Sequence, residues 1–212
     1  MSSIADIRKD YKLQSLEEKD VANDPFTQFG KWWQQAIDSQ IDEVNAMTLC
    51  TVSAEGKPQG RIVLLKGFNE HGFVFFTNYK SNKGNQLAHT PFASLVFFWK
   101  EVERQVRIAG TVVQVAAEES DSYFHSRPIK SQLGAIASPQ SQHIESREVL
   151  EKNMMALEEK YANQTIPRPA HWGGYRLIPE TVEFWQGRSS RLHDRIVYSK
   201  NHTVWQIERL AP

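Results

Sequence analysis

Phe26, Phe29, Trp33, Ile37 and Ile41 recur at helical spacing behind Asp24-Pro25, a capping residue followed by the proline that suits a first helical turn. This aromatic stripe predicts a helix whose apolar face packs into the core. From Met47 the period shortens to that of strands. Met47 to Ser53, Gln59 to Phe68 and Phe73 to Asn78 are short β-rich runs, divided by Glu55-Gly56-Lys57-Pro58 and Asn69-Glu70-His71-Gly72, which read as hairpin turns. Ser81 to His89 predicts a short helix ahead of Pro91, and strands resume at Phe92 to Trp99 and Arg104 to Val115. A helical section runs from Glu118 to Tyr161, interrupted at Pro128 and Pro139, with Leu150, Met154, Leu157 and Tyr161 forming one buried face of its last helix. Strands return at Tyr175 to Ile178, Thr181 to Trp185, Arg195 to Tyr198 and Thr203 to Glu208. Sheet runs joined by tight turns, with helices inserted late, point to an antiparallel α+β domain or barrel rather than a doubly wound sheet. Residues 1–22 are charged and poor in apolar anchors, so they predict a partly mobile arm ahead of a single domain at 23–212.

Composition narrows the function classes without choosing among them. Apolar residues at 40% of 212 are enough for a sizeable core. Lys plus Arg and Asp plus Glu are 25 each, so no global positive field gathers nucleic acid or an anionic membrane, and any anion site has to be local. The single cysteine, Cys50, excludes an intrachain disulfide and a four-cysteine zinc site, and it fits a reducing compartment. The first residues lack a signal-peptide pattern and no run of about 18 apolar residues occurs, so the expected location is the cytoplasm.

The dinucleotide glycine fingerprint, the P-loop lysine motif, the nucleophile elbow and the metalloprotease histidine pair are all missing, and the 7 histidines are scattered. What remains is a set of cations and hydroxyls on different elements. Arg61 and Lys66 are five apart on a predicted strand, so a regular strand points them to opposite faces, roughly 17 Å apart by rise, and can serve two sites. Tyr123, Arg127 and Ser131 follow a four-residue spacing that Pro128 breaks. A helix ending near Arg127 and another starting at Pro128 gather a phenol, a guanidinium and a hydroxyl where one phosphate can bind. The segment Trp185-Gln186-Gly187-Arg188-Ser189-Ser190-Arg191-Leu192-His193-Asp194-Arg195 concentrates guanidiniums, an imidazole and an indole beside a glycine, a combination suited to something flat and anionic. Taken singly, each of these is as easily a solvated charge or a structural histidine.

This C-terminal segment resembles the signature of pyridoxamine 5'-phosphate oxidases. Arg61-Ile62-Val63-Leu64-Leu65-Lys66, Glu103-Arg104-Gln105-Val106, Tyr123-Phe124-His125-Ser126-Arg127-Pro128 and Trp172-Gly173-Gly174-Tyr175-Arg176 match the same family in the same order. The resemblance implies an α+β fold, an antiparallel FMN-binding split β-barrel with peripheral helices, working as a homodimer with FMN at the interface. It implies oxidation of pyridoxamine 5'-phosphate and pyridoxine 5'-phosphate to pyridoxal 5'-phosphate, with oxygen as acceptor and hydrogen peroxide as product. For FMN it implies Arg61, Ile62, Val63, Leu64, Leu65, Lys66, Phe76, Thr77, Asn82, Lys83, Gln105, Gln140, Ser141, Trp185 and Arg195. The amides of Gln105 and Gln140 can read the ring's carbonyl and N–H edge, and Arg195 can stabilise charge on the reduced ring. For substrate it implies Lys66, Tyr123, Arg127 and Ser131 at the phosphate, Arg191, Leu192 and His193 at the reacting end, with Arg191 and His193 closest to the chemistry, and Arg8 and Tyr11 from an arm that folds over as a lid. Asn82 and Phe76 depart from the family's commoner arginine and tyrosine, and Asn82 removes a cation from the expected FMN phosphate cluster. Two other readings stay open at this level: a barrel that carries FMN or pyridoxal phosphate without turnover, and, with little support from a net charge of zero, a nucleic-acid-binding barrel.

Overall fold

The computed structural model describes residues 3–7 and 9–212, so the expected substrate contact at Arg8 lies outside the described residues. In chain order the elements are α1 (Pro25–Asp38), β1 (Ala46–Val52), β2 (Pro58–Leu64), β3 (Gly67–Asn69), β4 (Gly72–Asn78), α2 (Asn82–His89), β5 (Phe92–Trp99), β6 (Arg104–Gln114), α3 (Ala117–Ser126), α4 (Ile129–Ala137), α5 (Arg147–Lys160), β7 (Trp172–Gln186), β8 (Asp194–Asn201) and β9 (Val204–Arg209). The strands form one sheet in the order β2-β1-β5-β6-β7-β4-β3, with β8 on β7 and β9 on β8. The pairings are antiparallel. The fold is the mixed helix and antiparallel-sheet class expected, with the sheet curled and left open at one seam.

That seam corrects the sequence reading. The expected strand Gln59 to Phe68 ends at Leu64, where the chain crosses from one sheet edge to the other. The Leu65 N–H donates to Asn45 O at 2.8 Å on one side, and the Lys66 N–H donates to Val74 O at 2.8 Å on the other. Leu65 drops its side chain into the core, 4% exposed. The alternation argument needed an unbroken strand and fails at this crossing.

A second correction concerns Tyr175 to Ile178 and Thr181 to Trp185, which are one strand, β7. Pro179 and Glu180 lie between the two expected runs, and there the β6–β7 register shifts between Ala109 and Gly110, leaving Glu180 bulged. A bulge is where a strand tolerates proline. Gly110 permits it, because a Cβ there would stand 2.0 Å from Ile178 O.

Helix α1 begins as expected, with Asp24 Oδ1 accepting from the N–H groups of Phe26 and Thr27 at 3.0 and 2.9 Å. Its buried face is Phe29, Trp32 and Ala36, with Phe26, Trp33 and Ile41 at the flanks, whereas Ile37 is 43% exposed. These residues join Met47, Leu49, Phe73, Phe75, Leu95, Phe97, Trp99, Val106 and Phe184 in the main core. A smaller cluster of Phe124, Leu133, Ile166 and Trp172 lies under the helical section. Met154, Leu157 and Tyr161 pack on that cluster only partly buried, so the buried face expected for the last helix is a half-exposed one.

Candidate active site

Beside the seam a cavity of about 550 Å³ opens, lined by Arg61, Ile62, Val63, Leu64, Lys66, Phe76, Thr77, Asn78, Lys83, Tyr123, Arg127, Pro128, Ser131, Gln140 and Trp172. Arg61 and Lys66 therefore face the same space rather than opposite ones, because the chain turns between them. Leu65 is absent from the lining. Four cations and no carboxylate occur among the described lining residues. In a chain of zero net charge this is a local anion site.

Two of the cations, Arg61 and Lys83, are held by neutral partners. Arg61 donates from Nη1 to Leu49 O at 3.2 Å and to Thr51 Oγ1, and from Nη2 to Gln86 Oε1 at 3.3 Å. Thr51 in turn donates to Gln86 Oε1 at 2.5 Å, so a buried pair from β1 and α2 fixes the guanidinium. Burial lowers the Arg61 pKa. Lys83 reaches Thr77 Oγ1 at 3.1 Å and Gln140 Oε1 at 3.0 Å. Its pKa is lowered by burial and then by the positive charge of Arg61. Two cations that raise each other's cost without an acid between them favour an anion that takes the place of one.

The far wall is aromatic. The Phe76 ring stacks on Tyr123 at 4.0 Å and on Trp172 at 5.6 Å. The break at Pro128 is as expected: α3 ends at Ser126, α4 starts at Ile129, and Arg127 sits extended between them. Gln132 Nε2 donates to Arg127 O at 2.8 Å and pins that link. The Arg127 guanidinium lies 4.6 Å above the Trp172 ring, and its Nη1 is the one buried side-chain N or O without a hydrogen-bond partner among the described residues. Such an orphan donor costs free energy unless a ligand satisfies it. Burial also lowers the pKa of this group. Ser131 stands on the first turn of α4 and lines the cavity. Asn82 is exposed at the start of α2 and Ser141 is exposed with φ 70°, and neither lines the cavity.

The other expected residues gather elsewhere. Gln105, Trp185 and Arg195 lie abreast across β6, β7 and β8. Trp185 is 13 positions along β7 from Trp172, about 43 Å of strand at full extension. Arg195 holds Glu183 through two bonds of 2.9 and 3.1 Å and gives Nη1 to Ala211 O at 2.7 Å. The carboxylate raises its pKa, so this guanidinium is already neutralised. Next to it a second cavity of about 480 Å³ is lined by Ile7, Lys9, Asp10, Tyr11, Arg188, Ser190, Arg191 and His193. Ser190 and Arg191 are consecutive left-handed residues, φ 56° and 63°, so Arg191 and His193 share this cavity through a strained turn rather than an extended face. His193 Nδ1 accepts the Arg188 N–H at 3.0 Å, which leaves Nε2 as the donor of the neutral ring. Burial and then Arg191 lower the His193 pKa, against Asp194. Leu192 is 70% exposed and lines neither cavity. Tyr11 lies against Gly187, where a Cβ would come within 2.7 Å of its ring, and edge-on to Trp185 at 5.8 Å.

The expected residues thus form two groups that share no lining residue within one chain. Sequence reasoning missed Thr51, Gln86, Trp172, Asn78, Lys9, Asp10 and Arg188. Trp172 carried a signal as the first residue of a matched motif, Arg188 as part of the Arg-rich C-terminal segment, and Lys9 and Asp10 as part of the arm that holds Tyr11.

Two family models match the chain: one described as pyridoxamine 5'-phosphate oxidase over residues 33–161, the other as the pyridoxine 5'-phosphate oxidase C-terminal dimerisation region over residues 172–212. A pyridoxine/pyridoxamine 5'-phosphate oxidase from Cyanothece sp. is 60% identical over 210 residues, 99% of each chain. Among solved structures, PhzG from Burkholderia lata in complex with tetrahydrophenazine-1-carboxylic acid is 29% identical with TM-score 0.90, covering 96% of this chain and 100% of its own. A pyridoxamine 5'-phosphate oxidase-related, FMN-binding protein from Nostoc punctiforme shares the fold at 18% identity and TM-score 0.71, covering 91% of this chain and 100% of its own.

Proposed function

The chain belongs to the pyridoxamine 5'-phosphate oxidase family of oxidoreductases, and on that premise we propose that it oxidises pyridoxamine 5'-phosphate and pyridoxine 5'-phosphate to pyridoxal 5'-phosphate with FMN as cofactor and oxygen as acceptor. The observation that carries the reading is the unpartnered Nη1 of Arg127 in a carboxylate-free cavity with four cations and an aromatic wall. Its volume falls in the roughly 300–1,000 Å³ range of small-molecule sites.

In this reading Arg61 and Lys83, oriented by Thr51, Gln86, Thr77 and Gln140, hold the FMN phosphate. Arg127, Lys66, Tyr123 and Ser131 hold the substrate phosphate. FMN, when bound, supplies the hydride acceptor and passes the electrons to oxygen, releasing hydrogen peroxide. Gln105, Trp185, Arg195, Arg191 and His193 line no part of the first cavity of their own chain, so in this reading they close over that of a partner chain. The match of residues 172–212 to a dimerisation region supports this arrangement. His193, neutral with a free Nε2–H, then orients the substrate's ring substituents beside Arg191, and Tyr11 covers the opening. Anaerobic mixing of the FMN-loaded protein with pyridoxamine 5'-phosphate should bleach the flavin absorbance, and readmitted air should restore it with release of peroxide. An unbleached spectrum would reject the reading, and FMN retained without bleaching would favour a carrier.

A further inference from the structure

Glu103 belongs to neither cavity, yet it touches both structures that make the second one. It occupies the turn before β6 in a left-handed conformation, φ 56°, and is 2% exposed. Its carboxylate Oε2 accepts the N–H groups of Lys12 and Leu13 at 2.9 and 3.1 Å, and Oε1 lies 3.2 Å from Lys9 Nζ. Its main-chain oxygen accepts the Gly187 N–H at 2.7 Å. One residue therefore ties the N-terminal arm through its side chain and the glycine under Tyr11 through its backbone. Two successive amides converging on one carboxylate oxygen form an anion nest, which fixes the register of the arm and not only its presence. Burial pushes this carboxyl's pKa up, but the Leu13 amide, the Lys9 ammonium and the Lys12 amide outweigh it, and the net shift is downward. Beyond this clamp the arm is held at Gln14 by Arg104 and at Leu16 by Asp194 and Arg209. None of those contacts lies within two residues of Tyr11, whereas Lys9, Lys12 and Leu13 flank it on both sides.

We infer that Glu103 is a positioning residue: it registers the arm so that Tyr11 stands over Gly187, Trp185 and His193 and completes the cavity that receives substrate. The kinetic part rests on the function proposed above, and the structural part does not. In the full-length FMN-loaded protein, hydrogen exchange at the Lys12 and Leu13 amides should quicken roughly tenfold or more in Glu103→Ala and by a smaller factor in Glu103→Gln, which keeps one acceptor oxygen. Amides within β6 and β7 should keep their protection in both. KM for pyridoxamine 5'-phosphate should rise roughly tenfold in Glu103→Ala with kcat and FMN affinity nearly unchanged. Tyr11→Ala should raise KM too, and adding Glu103→Ala to it should raise KM by less than about twofold more, because both act through one contact. Unchanged exchange in both variants, exchange that quickens without any change in KM, or KM effects that multiply would each overturn the inference. If Glu103→Ala does not fold, Glu103→Gln decides by the same two readouts. Should the wild-type flavin fail to bleach with pyridoxamine 5'-phosphate, the functional reading falls, and the amide exchange alone still decides whether Glu103 holds the arm.

Discussion

Arg127 has a buried guanidinium nitrogen with nothing to donate to, set over Trp172 at 4.6 Å. A dianionic phosphate supplies the missing acceptor, and a charge-assisted bond of this kind contributes about 1.5–3 kcal/mol. Arg127→Met should therefore raise KM for pyridoxamine 5'-phosphate at least tenfold, by roughly 1.4 kcal/mol or more. The same change should leave activity on unphosphorylated pyridoxamine almost as it was. An equal loss on both would show that Arg127 does not read phosphate. His193 offers a pH test. Its neighbours are Arg191, which lowers its pKa, Asp194, which raises it, and the rings of Tyr11 and Trp185, and the balance lies below 6.5. As pH falls through that lowered value Nδ1 takes a proton and can no longer accept the Arg188 N–H. The acid limb of kcat/KM should accordingly lie below pH 6.5 and flatten in His193→Asn, and a limb that persists in the variant would remove His193 from the site. At this scale the sequence was most readable where chemistry is local. Pro128 announces the gap that frees Arg127, but Thr51, Gln86 and Arg61 meet from positions 10 to 35 residues apart, and no spacing rule links them.

Gly110 is a glycine because two strands approach there until a Cβ would stand 2.0 Å from Ile178 O and 2.9 Å from Pro179 Cα. Gly110→Ala must move backbone rather than a flexible side chain, so it should destabilise by about 1–3 kcal/mol, seen as a lower urea midpoint at unchanged slope. A midpoint within error of the parent would mean that the bulge relaxes freely. The bulge also explains what elements hid from sequence reading. Short β-rich runs located the strands, but β7 was read as two strands because the bulge that joins them at Pro179 and Glu180 depends on its partner, β6. The opposite error arose at Leu65 and Lys66, where an unbroken apolar run conceals the crossing between sheet edges. In α1 the stripe was right in kind and turned by one position, since Trp32 and Ala36 rather than Ile37 face the core.

Across the whole molecule, the two groups of expected residues stand at opposite ends of β7, and a single sequence gives no distance between them. If the Arg127 cavity of one chain is completed by Arg191 and His193 of another, Arg127→Met and Arg191→Met proteins, assayed at pyridoxamine 5'-phosphate well below KM where each is impaired, should complement each other. Refolded together in equal amounts, they should regain about one quarter of wild-type activity, since a mixed twofold dimer has one intact composite site and one doubly altered one. No recovery would place each complete site within one chain.

The cation-lined cavity has one more effect. The chain as a whole is electroneutral, so the attraction of Arg61, Lys66, Lys83 and Arg127 fades within about 8 Å in physiological saline. Distant polyanions feel almost no pull, while a small dianion that has drifted to the mouth is drawn in. Raising the ionic strength should therefore slow capture of phosphorylated compounds and barely alter how the protein behaves toward nucleic acids or charged membranes, a discrimination by range that the balanced exterior makes possible.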